Sequence, residues 1–233
     1  LILDATCTPA DITYPTDSKL LNDAREKSET LVDLLYTQCT QAKIKPRTYR
    51  KIARKKWLIF SKKRRHTHAQ IRKINRTLLG YLGRNLEHLD KLIDQVGLQT
   101  LLRAQYKNLL VIREVYRQQK EMFELRTQRV DDRIVSLSQP HVRPIVRGKA
   151  GAKVEFGAKL SASLDEGYFF LDQLDWNNFN ESKHLIPQVE TTINAGVTIR
   201  HRCMSIKFIA PKKTENGAKT KAFVSADLNS ADR

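Results

Sequence analysis

The sequence predicts an α+β fold in which a long helical region separates a first strand from a later group of strands. Three observations predict it. An apolar run opens the chain and reads as a short buried strand, "LILDAT". Leucines then recur every three or four residues over much of residues 19–123, the period of amphipathic helices. From residue 133 the texture turns to β-branched and aromatic residues punctuated by turn signals.

Taken in order, "PADITYPTDS" after the first strand is a loop, and Asp17 or Ser18 is placed to cap the next helix. That helix spans roughly 19–40, with Leu20, Leu21, Ala24, Leu31, Leu34 and Leu35 on its apolar stripe. Leu78, Leu82, Leu86, Leu89, Ile93 and Val96 form one repeat, Gly97 interrupts it, and Leu98, Leu102, Leu109, Ile112, Tyr116 and Phe123 form a second. Two helices of about 30 residues joined as an αα-hairpin or a short antiparallel coiled coil fit this pattern. The spacing suits core packing and leaves a homodimer contact open. Asp131-Asp132 ends the second long helix or caps its exit.

Strands are predicted at about 142–147, 153–163 and 167–174, with "KAGAK" and Asp165-Glu166-Gly167 as the turns. "NNFNESKHLIPQVE" reads as a loop and a helix start, and "SIKFIAP" and "AFVSADL" as candidate strands around a polar stretch. The expected organisation is a first core strand and loop (1–18), an inserted basic helical region (19–132), core strands with a helix start (133–190), and a divergent, poorly ordered tail (191–233). On this layout Leu1–Ala5 lies beside the later strands. Asp4 then sits at the C-terminal end of a central strand, facing the crevice of the sheet.

The chain has 233 residues, 40% of them hydrophobic, enough for one core with a helical appendage. Its net charge is +17 and its pI about 9.9, which points to a polyanionic partner, nucleic acid ahead of an anionic membrane surface. No apolar run approaches the roughly 18 residues of a membrane span, and nothing resembles a secretory leader. The absence of a methionine at Leu1 suggests a fragment. Cys7, Cys39 and Cys203 lie far apart without a CxxC pair, which argues against zinc or a disulfide framework and for thiols in a reducing cytoplasm.

The basic excess is concentrated. Residues 43–76 carry 15 Lys or Arg and no Asp or Glu, interleaved with Tyr49, Trp57 and Phe60. Cations there are expected to neutralise phosphates, and the aromatics either to stack on bases or to pack inward. The alternative for the segment is a solvated helix face over an aromatic core stripe. Lys45, Arg47, Arg50, Lys51, Arg54, Lys55, Lys56, Lys62, Lys63, Arg64 and Arg65 are the candidate DNA contacts here. Arg147, Lys149 and Lys153 around the "RGKAGAK" turn are further candidates. No base-reading motif accompanies them, so the patch speaks for affinity rather than sequence specificity.

Three stretches, "LILDATCTPADITYPTDSKLLNDAREK", "RTYRKIARK" and "SQPHVRPIVRGKAGAKVEFGAKLSASLDEGYFFLDQLDWNNFNES…LIPQVE", resemble the core of bacterial insertion-sequence transposases of the DDE type, in the insertion-sequence-five-like group. The resemblance covers roughly residues 1–190. It implies an incomplete ribonuclease H-like core carrying a long inserted helical domain, with DNA (element ends and target) as substrate. It also implies Mg²⁺ or Mn²⁺ held by two Asp and one Glu, of which Asp4 is the first and hence a catalytic metal ligand. In such sites two metals clamp the attacking and leaving oxygens of an in-line phosphoryl transfer.

The rest of the pattern is not found. Between Glu190 and Glu215 there is no acid where the second Asp is expected, and the chain stops at "SADLNSADR", where the Glu-bearing helix should begin. The reading is therefore a catalytically incomplete transposase, truncated at both ends, with an internal deletion or frameshift near 191–202. A single carboxylate binds Mg²⁺ poorly, because the ion needs several oxygens placed together. The competing reading is a non-catalytic basic nucleic-acid-binding protein.

Overall fold

A computed structural model describes residues 2–39, 44–146, 154–165 and 168–179, with only the backbone of Ile2, Leu3 and Asp165. The expected helix start and strands beyond residue 180 lie outside the described residues, as do Arg147, Lys149 and Lys153. The elements run β1 (Ile2–Pro9), α1 (Asp17–Gln38), α2 (Arg50–Ser61), α3 (His68–Val96), a 3₁₀ turn (Leu98–Thr100), α4 (Arg103–Leu125), β2 (Arg143–Val146), β3 (Val154–Asp165) and β4 (Tyr168–Asp175). Helices and strands are both present in one chain, so the α+β class holds. The described residues fall into two compact units, 2–5, 160–165, 168–173 and 179 in one, 6–39, 44–146, 154–159 and 174–178 in the other.

The larger unit is built on α1, α3 and α4. Thr16, in extended backbone, caps α1, its hydroxyl accepting from the Lys19 N–H at 3.3 Å. Asp17, one of the two expected caps, is instead the first helical residue, where its charge complements the helix dipole. It also accepts hydrogen bonds from Gln119 and Arg133 at 2.9 and 2.5 Å, tying α1 to the far end of the helical layer. Ser18, the other expected cap, is buried and donates to Asn75 Oδ1.

Leu21, Val32 and Leu35 of α1 meet Leu78, Leu82 and Leu89 of α3 and Leu109 and Ile112 of α4, all essentially inaccessible to solvent. Each such side chain contributes about 1.5–3 kcal/mol by leaving water. Two predicted stripe members do not take part. Leu98 and Leu102 lie in the connection after Gly97 and stay 46% and 69% exposed.

A polar seam crosses this core. Arg25 is 1% exposed, and its guanidinium donates to Glu29 at 2.5 Å and twice to Asn22 Oδ1. Ser28 Oγ donates to the Arg25 carbonyl, and Asn85 Nδ2 of α3 donates to Ser28 Oγ at 2.9 Å. Burial pushes the Glu29 carboxyl up, against the opposing pull of Arg25. Removing Arg25 would leave that carboxylate buried without its cation, a change that typically costs about 3–5 kcal/mol.

The sheet runs β1-β3-β2, with β4 also paired to β3. β2 and β3 are antiparallel, from Arg143 opposite Gly157 to Val146 opposite Val154. Gly157 sets the approach of β1: a Cβ there would stand 2.0 Å from the Thr8 carbonyl oxygen. The adjoining Ala10 N–H donates to the Phe156 carbonyl at 2.8 Å. This pairing carries β1 through Pro9, beyond the expected Leu1–Ala5. Asp4 consequently lies within the strand rather than at its C-terminal end. Among the described residues β1 pairs only with β3, so it is an edge strand and not a central one. Asp4, Thr6 and Thr8 are exposed along it, in place of the expected buried run.

In the smaller unit, the far half of β3 faces β4, and Ser163 Oγ donates to Asp172 Oδ1 at 3.0 Å. The Asp131-Asp132 pair occupies a turn six residues beyond α4, with Asp132 at a positive φ of 51°.

Candidate nucleic-acid interface

The acid-free segment folds as α2, a turn over 62–67, and the first turns of α3. α2 buries only Ala53 fully. Trp57 and Phe60 are half-buried and pack against the helical core, their ring centroids 5.8 Å apart. Phe60 is further stacked on His66 at 3.8 Å. These two aromatics of the run therefore point inward and anchor the helix, while most of the cations are left outside.

The start of α2 is unusual. Tyr49 precedes the helix in left-handed backbone, φ 55°, without a side-chain cap, a conformation that costs a non-glycine residue roughly 1–2 kcal/mol. Cations surround its ring: the guanidinium carbons of Arg47 and Arg84 lie 4.6 and 4.8 Å from the centroid. Arg84 also approaches Tyr81, and Lys56 Nζ lies 3.2 Å from the Tyr81 hydroxyl and 5.4 Å from its ring. Such cation–π contacts hold a guanidinium in place without neutralising it. Arg84 escaped the sequence reading because it lies eight residues beyond the basic run; the Tyr81–Arg84 spacing on one helix face was the available signal.

The candidate contacts divide into three groups. Lys51, Arg54, Lys55 and Lys62 line one outer face of α2 with Leu58 and Ile59 between them, and Lys63, Arg64 and Arg65 follow in the exposed turn. Among the described residues, none of these seven, nor Arg47, has a carboxylate within 4.0 Å. Lys45 and Arg50 are different. Asp33 of α1 accepts from Lys45 at 2.8 Å and from both Arg50 terminal nitrogens at 2.8 and 2.6 Å. Partial burial pushes the Asp33 carboxyl up, but the hydrogen bonds from Arg50 and Lys45 outweigh it and hold the group below the usual carboxylate range. These two cations anchor the loop and helix start to α1. Lys56, turned to Tyr81, forms the third group. The remaining candidates, Arg147, Lys149 and Lys153, fall outside the described residues.

Asp4 is exposed, and its Oδ1 accepts from the adjacent Ala5 N–H at 2.9 Å. Among the described residues no group of three or more His, Cys, Asp or Glu is arranged to hold a metal ion. The donor set around Asp4 therefore does not fit a two-metal centre within those residues, and no catalytic step is derived through one. No helix among the described residues is long and apolar enough to cross a membrane. No family model, curated protein or solved structure matches the chain.

Proposed function

We propose that this chain binds the phosphate backbone of DNA through α2 and the turn that follows it. We further propose that it is the core of a DDE-type insertion-sequence transposase with a ribonuclease H-like lineage, whose catalytic carboxylate set is incomplete. The observation that carries the binding reading is the outer face of α2. Cations at Lys51, Arg54, Lys55 and Lys62 stand on one helix face, and among the described residues no acid lies beside them. A face of that kind gains by releasing counterions from a polyanion. The transposase lineage rests on the resemblance of residues 1–190, in which Asp4 matches the first catalytic Asp. The expected setting is the cytoplasm, with element ends or target DNA as partner and Mg²⁺ or Mn²⁺ as the metal of the intact site. The sequence holds no acid between Glu190 and Glu215, where the resemblance places the second Asp, and binding without chemistry is the activity we assign to this chain.

Fluorescence anisotropy with a labelled duplex across a salt series tests the binding reading. The expected result is affinity falling steeply with salt, by a slope of about −0.9 per neutralised phosphate. Flat affinity between low and physiological salt would contradict it. Nicking or strand transfer with Mg²⁺ or Mn²⁺ that disappears in Asp4→Ala would overturn the assignment of binding without chemistry.

A further inference from the structure

Beside the cationic face of α2 lies a groove of about 400 Å³ between α2 and α3. Ile59 and Phe60 from α2, Lys63 from the turn that follows it, and Gln70, Lys73 and Ile74 from α3 line it. Lys56, Ile59 and Phe60 of α2, and Gln70, Lys73, Ile74 and Thr77 of α3, recur at the three- and four-residue spacing of a single face on each helix, and these faces line the groove from its two sides. Among the described residues no acidic residue lines the groove. The groove shares Ile59 with the outer cationic face, so the two surfaces are contiguous on one helix.

We infer that this groove holds one unpaired nucleobase of a DNA strand whose phosphates run along the outer face of α2. The inference rests on the phosphate-binding reading and adds to it a preference for DNA that has an unpaired nucleotide.

The chemistry of the lining selects this occupant. Phosphates gain nothing from Ile59, Ile74 or the Phe60 ring, whereas a base presents an apolar face that does. An apolar peptide would gain nothing from the lysines. Lys63 and Lys73 have no acidic partner among the described residues, so they remain available to the phosphates flanking an extruded base. Gln70 uses its carbonyl oxygen to accept from the Thr67 N–H in the capping box at the start of α3. With that oxygen engaged, the amide NH₂ is the group that can donate to a base carbonyl or ring nitrogen. Phe60 is itself held by its stack on His66.

The test compares two labelled probes at one salt concentration, a fully paired short duplex and the same duplex with a single unpaired thymine. The full chain is expected to bind the second about tenfold more tightly, the scale of one stacked base. Ile59→Ala is expected to abolish that preference. Ile59 is 58% exposed, so the substitution spares the core, and circular dichroism checks the fold. A 5-iodouracil at the unpaired position should cross-link to α2 or the start of α3 in the unmutated chain. Duplex binding that is salt-dependent but shows no preference, or a cross-link elsewhere, overturns the groove while leaving the phosphate reading intact. A preference that survives Ile59→Ala also overturns it. Failure to bind either probe overturns both readings.

Discussion

α2 and α4 carry the same number of cations and use them differently. α2 has Arg50, Lys51, Arg54, Lys55 and Lys56 and no acid. α4 has Arg103, Lys107, Arg113, Arg117 and Lys120, but also Glu114, Glu121 and Glu124. On α4 the acids stand three and four residues from the bases. Arg117 donates to Glu114 and to Glu121, Lys120 reaches Glu124 at 4.0 Å, and Arg113 pairs with Asp90 of α3. The hydrogen bond from Arg117 holds the Glu114 carboxyl below its usual range. Three of the five α4 cations, Arg113, Arg117 and Lys120, are thus paired with acids, and its opposite side buries Leu109, Ile112 and Val115. Among the described residues only Arg50 on α2 is matched by an acid, and a single small residue, Ala53, is fully buried there. A count of Lys and Arg cannot separate these helices; the position of the carboxylates does.

The largest expected effect is on the packing side. Ile112→Ala should cost about 2–5 kcal/mol in chemical denaturation, while Lys55→Gln on exposed α2 should stay within about 0.5 kcal/mol. Equal costs would mean that α2 is as integral to the core as α4. Next comes DNA affinity. Replacing Lys51, Arg54, Lys55 and Lys62 together by Gln should weaken duplex binding at low salt by about a hundredfold, some 2.7 kcal/mol. The α4 set Arg113, Arg117 and Lys120, replaced by Gln in the same way, should change it less than about threefold, because each of those charges already has an acidic partner.

A smaller effect is expected at Gly97, where φ is +81°. Gly97→Ala should destabilise the α3–α4 junction by roughly 1 kcal/mol, read as a lower unfolding midpoint. The smallest concerns the two basic residues that are not free. The Asp33 carboxyl is held below its ordinary value of 3.8, so its contribution is complete above that pH and is lost as the pH falls through the lower folded value. A carboxyl NMR titration of Asp33 should show a midpoint under 3.8 that rises in Arg50→Gln.

Much of the helical architecture was legible because burial imposes its period on the sequence. The run of Leu78, Leu82, Leu86 and Leu89 places α3, and Gly97 marks its end. The β3 and β4 bounds fall within two residues of the expected strands, because β-branched and aromatic residues between turn signals marked them. The length of β1 was not legible, because it depends on Gly157 admitting the Thr8 carbonyl from far along the chain. The cap of α1 fell one residue earlier than expected because Thr16 was available in extended backbone. Within the candidate site, the basic run located the cations, yet nothing local showed that Asp33 claims Lys45 and Arg50, or that Arg84 joins Tyr49. Those pairings are long-range. The groove between α2 and α3 was equally hidden, since it forms only when two helical faces with matching spacing are brought together.

The central claim is that unpaired cations on α2, and not overall charge, give this chain its affinity for DNA. The slope of log affinity against log salt measures it most directly, compared between the unmutated chain and the Lys51, Arg54, Lys55 and Lys62 to Gln variant. The account predicts a slope shallower by about three to four in the variant, near 0.9 for each phosphate contact removed. An unchanged slope, with the α4 variant showing the loss instead, would contradict it.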